Sequence, residues 1–451
     1  MLVGFGETLI TPPLGLEMAG YFSNRLADGV LDELYSRALV VSEGDEHIAL
    51  VVTDLISVAA PDVARVRELV AARTPIPPEN VMVAATHTHT GPVTANRPGF
   101  TRDEAYMGSW AAKTAEAVRI AFTRRVEAVV GAGAGNLPGV SFNRRYWMKN
   151  GRVHTNPGVG NPDIVRPAGA IDTQVTVLRF DDLNGNPIGI LTNFGCHTDT
   201  IGGTKYSADW VGVAVRAIRS LVAEMYGGGD PSRGEFGVIV LNGACGEINH
   251  HDVFTPGRAK RWPTMTRAIG VGLAAETMRV ASQILPQPAQ GPTVSSRSAW
   301  VTLERIPLEQ RIREAQEALA DPRTGAMERR RAQSLLETAD LLPKDEPPTV
   351  NAEVHVLQLG PAAILGLPGE IFSESGLIFK SQAPQAFPMV ANLANGALGY
   401  VPPYRAYHEG GYETRSAWVK PGSVERMVAT GIELAQQCAV DARDAASQAA
   451  G

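Results

Sequence analysis

The sequence predicts an α/β fold: a layered sandwich with a mixed β-sheet core and flanking helices, in one domain with an inserted helical hairpin. Two observations carry that prediction. Apolar, β-rich runs alternate with amphipathic helical stretches over most of the 451 residues. Apolar content of 44% against 20% charged residues is ordinary for a soluble globular chain. No apolar run reaches the ~18 residues that a membrane span needs.

The elements follow in order. Residues 36–43 and 47–54 read as a hairpin around Gly44-Asp45, then come a helix over 61–72 and a strand over 81–85 closing at the histidines. Thr101-Arg102-Asp103-Glu104 opens a second helix running to about 125, with acids in the first turn where the helix dipole favours them. Residues 126–133, 173–180 and 187–194 read as strands, 210–226 as a helix and 236–241 as a short buried strand. Between 137 and 169 the chain is rich in Gly, Pro and Asn with little periodicity. Loops of that length are usually functional or disordered, and Phe142, Arg144, Arg145, Tyr146 and Trp147 favour function. Residues 308–342 are helical but broken at Asp321-Pro322-Arg323-Thr324-Gly325, which predicts a hairpin inserted at about 307–342. A solvated surface hairpin, a lid and a dimer contact are its three readings. Strands near 352–359, 362–367 and 389–393 and a final helix over 424–449 complete the chain.

Bulk properties exclude more than they assign. A net charge of −6 argues against a nucleic-acid partner, and Glu328-Arg329-Arg330-Arg331 reads as a solvated helix face. Cys196, Cys245 and Cys438 lie far apart and give no disulfide framework, so a reducing compartment is expected. The amino terminus lacks a basic region followed by a long apolar core, which predicts no signal peptide. A cytoplasmic chain that inserts in no membrane is the expectation, with homo-oligomerisation left open.

Chemistry gathers where strands end. Thr86-His87-Thr88-His89-Thr90-Gly91-Pro92 closes an apolar run, and alternation along a strand would place His87 and His89 on one face. Two imidazoles at the carboxyl end of a strand are half of a metal site. His197 follows the strand 188–194, with Gly195 easing close backbone approach, and is a candidate third imidazole. Glu370 follows Leu367-Pro368-Gly369 and reads either as a first-turn helix acid or as an oxygen ligand completing a His/His/Glu set. Tyr400 alone would be a packed aromatic. Cys196 reads as structural, since nothing nearby activates it.

With these segments in this order, the chain resembles the neutral/alkaline non-lysosomal ceramidase family. The resemblance runs from the opening strand at 4–10 to the terminal helix. It rests on Ala85-Thr86-His87-Thr88-His89-Thr90-Gly91-Pro92, Asn143-Arg144, the 193–197 segment, Ser207-Ala208-Asp209, Gly246-Glu247-Ile248-Asn249, Leu367-Pro368-Gly369-Glu370, Tyr400 and the Tyr407…Tyr412-Glu413 spacing. It implies one Zn²⁺ held by His87, His197, Glu370 and Tyr400, with His89 and Arg144 lining the site. Two departures accompany it. Asn249 stands where the family carries a serine, so a zinc-water mechanism is expected rather than a serine-dependent one. The family's secretion signal and carboxyl-terminal immunoglobulin-like domain are not evident, which weakens the inference to ceramide itself.

The expected activity is zinc-dependent hydrolysis of a linear carboxamide (N-acyl) bond in a soluble small-molecule substrate. Tyr400, His89 and Arg144 would stabilise the oxyanion or hold a polar group. His89, then Glu370, would move the proton to the leaving nitrogen. The alternatives are an esterase or lactonase using the same site and a catalytically silent binding protein. His250 and His251 are open positions, and Asp199 and Asp209 are expected to orient His197 or to cap the next helix. Tyr146, Trp147, Tyr404, Tyr407 and Trp418 are candidates for an aromatic pocket.

Overall fold

The computed structural model describes residues 1–227, 236–255, 264–287 and 293–449. Two mixed sheets pack face to face, with helices on their outer sides. The larger sheet has eight strands: β1 (Leu2–Leu9), β2 (Tyr35–Glu43), β3 (Glu46–Thr53), β4 (Val81–Ala85), β5 (Val126–Asn136), β6 (Gln174–Asp182), β7 (Pro187–Phe194) and β8 (Gly237–Asn242). Their spatial order is β8-β7-β6-β5-β1-β2-β3-β4. The pairs β3–β4 and β7–β8 are parallel and the rest antiparallel. A second sheet of four strands, β9 (Val294–Glu304), β10 (Thr349–Leu359), β11 (Ala362–Gly366) and β12 (Phe387–Ala391), lies against it. Leu39, Leu50, Leu178 and Leu191 meet Leu357, Ile364 and Met389 between the two. Each such burial contributes about 1.5–3 kcal/mol before entropy is counted.

Helices α1 (Ala60–Ala71) and α2 (Glu104–Thr123) cover β2–β4 through Val63, Val66, Trp110 and Val118. Asp103 caps α2, its carboxylate accepting from Tyr106 N at 2.7 Å. Helices α3 (Asp209–Tyr226) and α4 (Thr264–Ala281) cover β6–β8 through Trp210, Ile218, Leu273 and Met278. On the far side of the smaller sheet, α7 (Ser373–Gln382) and α10 (Ser423–Ala449) contribute Phe379, Met427 and Leu434. Between these lie α5 (Leu308–Ala320), α6 (Ala326–Thr338), α8 (Tyr404–Glu409) and α9 (Tyr412–Ser416). The α5–α6 pair breaks at the Asp-Pro-Arg-Thr-Gly turn and packs on α9.

The layered mixed α/β architecture is the predicted one, with a second sheet beside the first. Strand β9 and helix α4 carry no clear signal in the sequence reading. The Gly/Pro/Asn-rich stretch is not wholly irregular: Arg145–Met148, Val153–Thr155 and Ile164–Pro167 form a small antiparallel sheet of their own. No described helix is long and apolar enough to cross a membrane.

Strand order places β4 and β8 at opposite edges of the large sheet, yet the sheet curls so that their carboxyl ends come together. Asn242 Nδ2, at the end of β8, donates to Thr86 O at 3.0 Å, just past β4. Thr198 Oγ1 reaches the same carbonyl at 2.7 Å. The segment after β12 fills the remaining gap. Asn395 exchanges hydrogen bonds with Val83 N and Val83 O, both at 2.9 Å, and Asn392 N donates to Asn242 O at 3.0 Å.

Candidate metal and hydrolytic site

Three strand ends of the large sheet and one of the smaller sheet reach one corner. His87 follows β4, His197 follows β7, Gly246 and Glu247 follow β8, and Glu370 follows β11. Strand β4 ends at Ala85, so His87 and His89 are not neighbours on a pleat. His87 instead takes a left-handed backbone, φ 71°, and the turn it makes sets the two rings edge to face with centroids 4.8 Å apart. Strand alternation named the right pair for the wrong reason. Gly20 lets a neighbouring turn close on the second ring: it has φ 104°, and a Cβ there would lie 2.7 Å from His89 Cβ. Gly246 is equally confined, its missing Cβ lying 2.7 Å from Glu370 O.

Two histidines are fixed from behind. His87 Nδ1 bonds Ile56 O at 2.8 Å and His197 Nδ1 bonds Cys245 O at 2.9 Å. Carbonyls only accept, so both Nδ1 atoms donate and both Nε2 atoms turn inward. There they face each other at 3.1 Å, with Glu370 Oε2 at 3.3 Å from His87 Nε2 and 3.5 Å from His197 Nε2. His89 Nε2 stands 3.3 Å from His87 Nε2. A cation or a proton between them would relieve so close a convergence of lone pairs. Burial disfavours protonation of His87, but Glu370 and the Ile56 carbonyl together outweigh it and raise its pKa. Burial and the Arg144 charge hold His197 well below the ordinary histidine value. Burial, then the charge on His87, do the same to His89.

A metal fits at that convergence. Glu370 Oε2 is buried without a hydrogen-bond partner, and nitrogen and carboxylate donors together suit zinc. The separations match the edges of a tetrahedron about an ion ~2.0–2.1 Å from each donor, about 3.3 Å. Among the described residues the histidine group able to share one ion is His87, His89 and His197. Glu370 and Tyr400 border it, with Tyr400 held by Arg144.

All three guanidinium nitrogens of Arg144 are engaged. Nε binds Glu413 Oε1 at 2.7 Å, Nη2 binds Gly246 O at 2.7 Å and the Tyr400 hydroxyl at 2.9 Å, and Nη1 faces His197 Nε2 at 3.3 Å. Arg145 joins the same carboxylate, Nη1 to Glu413 Oε2 at 3.0 Å, with Thr155 Oγ1 at 2.8 Å. Burial keeps the Tyr400 hydroxyl protonated, and Arg144 only partly opposes this.

All six predicted site residues, His87, His89, Arg144, His197, Glu370 and Tyr400, are thus in or beside one corner. Asp209 is the first residue of α3, accepts from Trp210 N at 2.6 Å, and ties down the segment after His197 by accepting from Thr200 N at 2.8 Å and Ile201 N at 2.9 Å. Asp199 lies beside His89 rather than His197: Oδ1 accepts from the Tyr21 hydroxyl at 2.6 Å and stands 3.6 Å from His89 Nδ1, too far for a hydrogen bond. Asn249, in the serine position, donates to Asn156 Oδ1 at 2.7 Å. His250 and His251 stack with centroids 4.0 Å apart. The five candidate aromatics have separate duties. Tyr407 donates to Val419 O, Trp418 carries Arg311, Tyr146 packs on Phe254, Trp147 lies under Arg166 and Tyr404 is exposed. The aromatic wall beside the corner is Tyr21, Phe22 and Tyr412, with Tyr412 edge-on to Tyr400 at 5.6 Å.

Comparison with known proteins converges on one family. The model described as neutral/alkaline non-lysosomal ceramidase, N-terminal, matches residues 1–232, just over half of the chain. The chain belongs to this family. It is similar to the neutral ceramidase of Pseudomonas aeruginosa, 30% identical over 209 residues, which are 44% of this chain and 30% of that protein. Neutral ceramidase A of Dictyostelium discoideum is 25% identical over 181 residues, 39% of this chain and 24% of that protein. The alignments therefore span less than a third of these curated relatives. The crystal structure of the Pseudomonas aeruginosa neutral ceramidase superposes with a TM-score of 0.73 at 20% identity, over 96% of this chain and 74% of that one. That match establishes a shared fold.

Proposed function

We propose that this chain is a zinc-dependent hydrolase of a linear N-acyl amide. The observation that carries the reading is the pair of inward-facing Nε2 atoms of His87 and His197, 3.1 Å apart beside Glu370 Oε2. His87, His197, Glu370 and Tyr400 would hold the ion, with His89 the competing fourth donor. Zinc bound there would lower the pKa of a water and polarise a carbonyl.

The chain's own groups supply the rest. His89, neutral because burial lowers its pKa, can take a proton and return it to the leaving nitrogen. Asp199, held by Tyr21, steadies the imidazolium so formed. The Tyr400 hydroxyl, aimed by Arg144, is the donor placed for charge developing on the carbonyl oxygen. Glu413 pins Arg144 and so fixes Tyr400 at one remove.

Elemental analysis of the purified protein should find about one zinc per chain. His87→Ala and His197→Ala should lose both the metal and amide hydrolysis, the latter by ~10³-fold or more. His89→Ala should keep the metal and lose rate on amides far more than on esters, because only an amide needs its leaving group protonated. A metal-free protein with full activity in the first two variants overturns the proposal.

A further inference from the structure

His89 is bordered by a ribbon in which the sequence reading singled out no residue. Residues 17–26 fold back on themselves: Met18 N donates to Arg25 O at 2.8 Å, and Glu17 and Leu26 form a bridge. The first arm runs beside the chain that leaves the histidines, with Ala19 N on Gly91 O at 3.0 Å and Val93 N on Glu17 O at 2.9 Å. Next to it Gly20 closes on the His89 ring, and the Tyr21 hydroxyl holds Asp199.

Arg25, on the return arm, is half-buried, and among the described residues no acid makes an ion pair with it. Its donors go to backbone instead. Nη2 donates to His89 O at 2.8 Å and also to Ala19 O, and Nη1 donates to Gly203 O at 2.6 Å. The guanidinium lies 4.1 Å over the Tyr21 ring. A planar fork that reaches three carbonyls while stacked on an aromatic face is work for arginine rather than for the point charge of lysine. The three carbonyls surround one relation. His89 N donates to Thr198 O at 3.1 Å, so with Arg25 on its carbonyl both peptide groups of His89 are bonded. Gly203 lies on the segment that follows Asp199, and Asp199 Oδ1 stands 3.6 Å from His89 Nδ1. Arg25 thus fastens three things together: the His89 backbone, the chain beyond Asp199 and the tyrosine that holds Asp199.

We propose that Arg25 is a positioning residue for His89: its fork holds the imidazole, Tyr21 and Asp199 in the arrangement from which His89 passes a proton to the leaving nitrogen. The proposal rests on the amide-hydrolase reading and adds to it a residue that acts through His89.

A matched pair of substrates tests it: N-dodecanoylethanolamine and the ethylene glycol monoester of dodecanoic acid, assayed with the full-length zinc-loaded protein. In Arg25→Gln, kcat on the amide should fall about 10–100-fold, with KM and zinc content unchanged. The ester needs no proton on its leaving group, so its loss should be several times smaller. Arg25→Lys should resemble Arg25→Gln, because it restores the charge and not the fork. Equal losses on amide and ester mean general loosening of the corner and overturn the proposal. Unchanged kinetics, a change confined to KM, or full activity in Arg25→Lys overturn it too. If the native protein does not cleave the amide, the hydrolase reading fails and nitrogen NMR of the imidazoles decides the rest. Arg25→Gln should then shift the His89 ring signals and leave those of His355, buried between Ser296 and Asn395, in place. Unmoved His89 signals, or equal shifts at both histidines, overturn the positioning role.

Discussion

Two arginine groups flank the same corner and differ in one respect. Arg144 and Arg145 are 7% and 1% exposed, and they share the carboxylate of Glu413, which is itself fully buried. Arg97 is exposed and Arg331 half-buried, and neither has an acid in ion-pair contact among the described residues. The first group is closed on the protein side: Arg144 and Arg145 share a buried acid, and Arg144 orients Tyr400. The second has no acid in contact and is left to solvent. Charge near a site is therefore not evidence of substrate binding until the partners are counted.

Removing Glu413 tests that contrast most severely. Glu413→Ala leaves two buried guanidinium groups without their shared acid, and urea unfolding should show a loss of about 3–5 kcal/mol. Arg331→Gln should move stability by no more than ~0.5 kcal/mol. Equal losses in the two variants would erase the distinction.

Glu247 is the inverse case, a buried acid with no arginine in ion-pair contact. Its oxygens accept from Ser373 N, at the start of α7, at 2.9 and 3.0 Å, and burial raises its pKa from 4.5 to about 8. The folded state thus holds a proton that the unfolded chain releases above pH 4.5, so stability should fall as pH rises towards 8. Glu247→Gln has no proton to lose. Its unfolding free energy should be flatter over that window, with a relative gain of about 2–4 kcal/mol by pH 8. A parallel pH profile in the two proteins would remove Glu247 as the cause.

A smaller effect than at Glu413 or Glu247 is expected at Asp199. Asp199→Asn keeps a bond to Tyr21 but withdraws the charge beside His89. It should lower kcat about 10–100-fold with KM and metal content little changed. A change confined to KM would place Asp199 in substrate contact instead.

The alternation of strands and helices was legible because hydrophobic period reflects burial directly. The site was half legible. His87, His197 and Glu370 each follow an apolar run, and strand ends are visible in sequence as Gly, Pro and polar punctuation. Their convergence was not, because it depends on a curled sheet whose outermost strands lie far apart in strand order. Asp199 stood two residues from His197 and was assigned to it by proximity along the chain. The fold gave it to His89, because a carbonyl, Cys245 O, already held His197. Arg331 looked like one of three equivalent surface arginines. Only the helix's docking on α9 separates the residue turned inward from those facing water.

The meeting of β4 and β8 has a consequence for solubility. The outer strands of an open sheet present unpaired backbone groups that recruit further strands from other molecules. Here the Asn392–Asn395 segment bonds the backbone of both outer strands, with the histidine corner at their carboxyl ends. The residues that would perform chemistry therefore sit in the seam that keeps the chain from adding a neighbour's strand, and damage to that seam would threaten monodispersity as well as turnover.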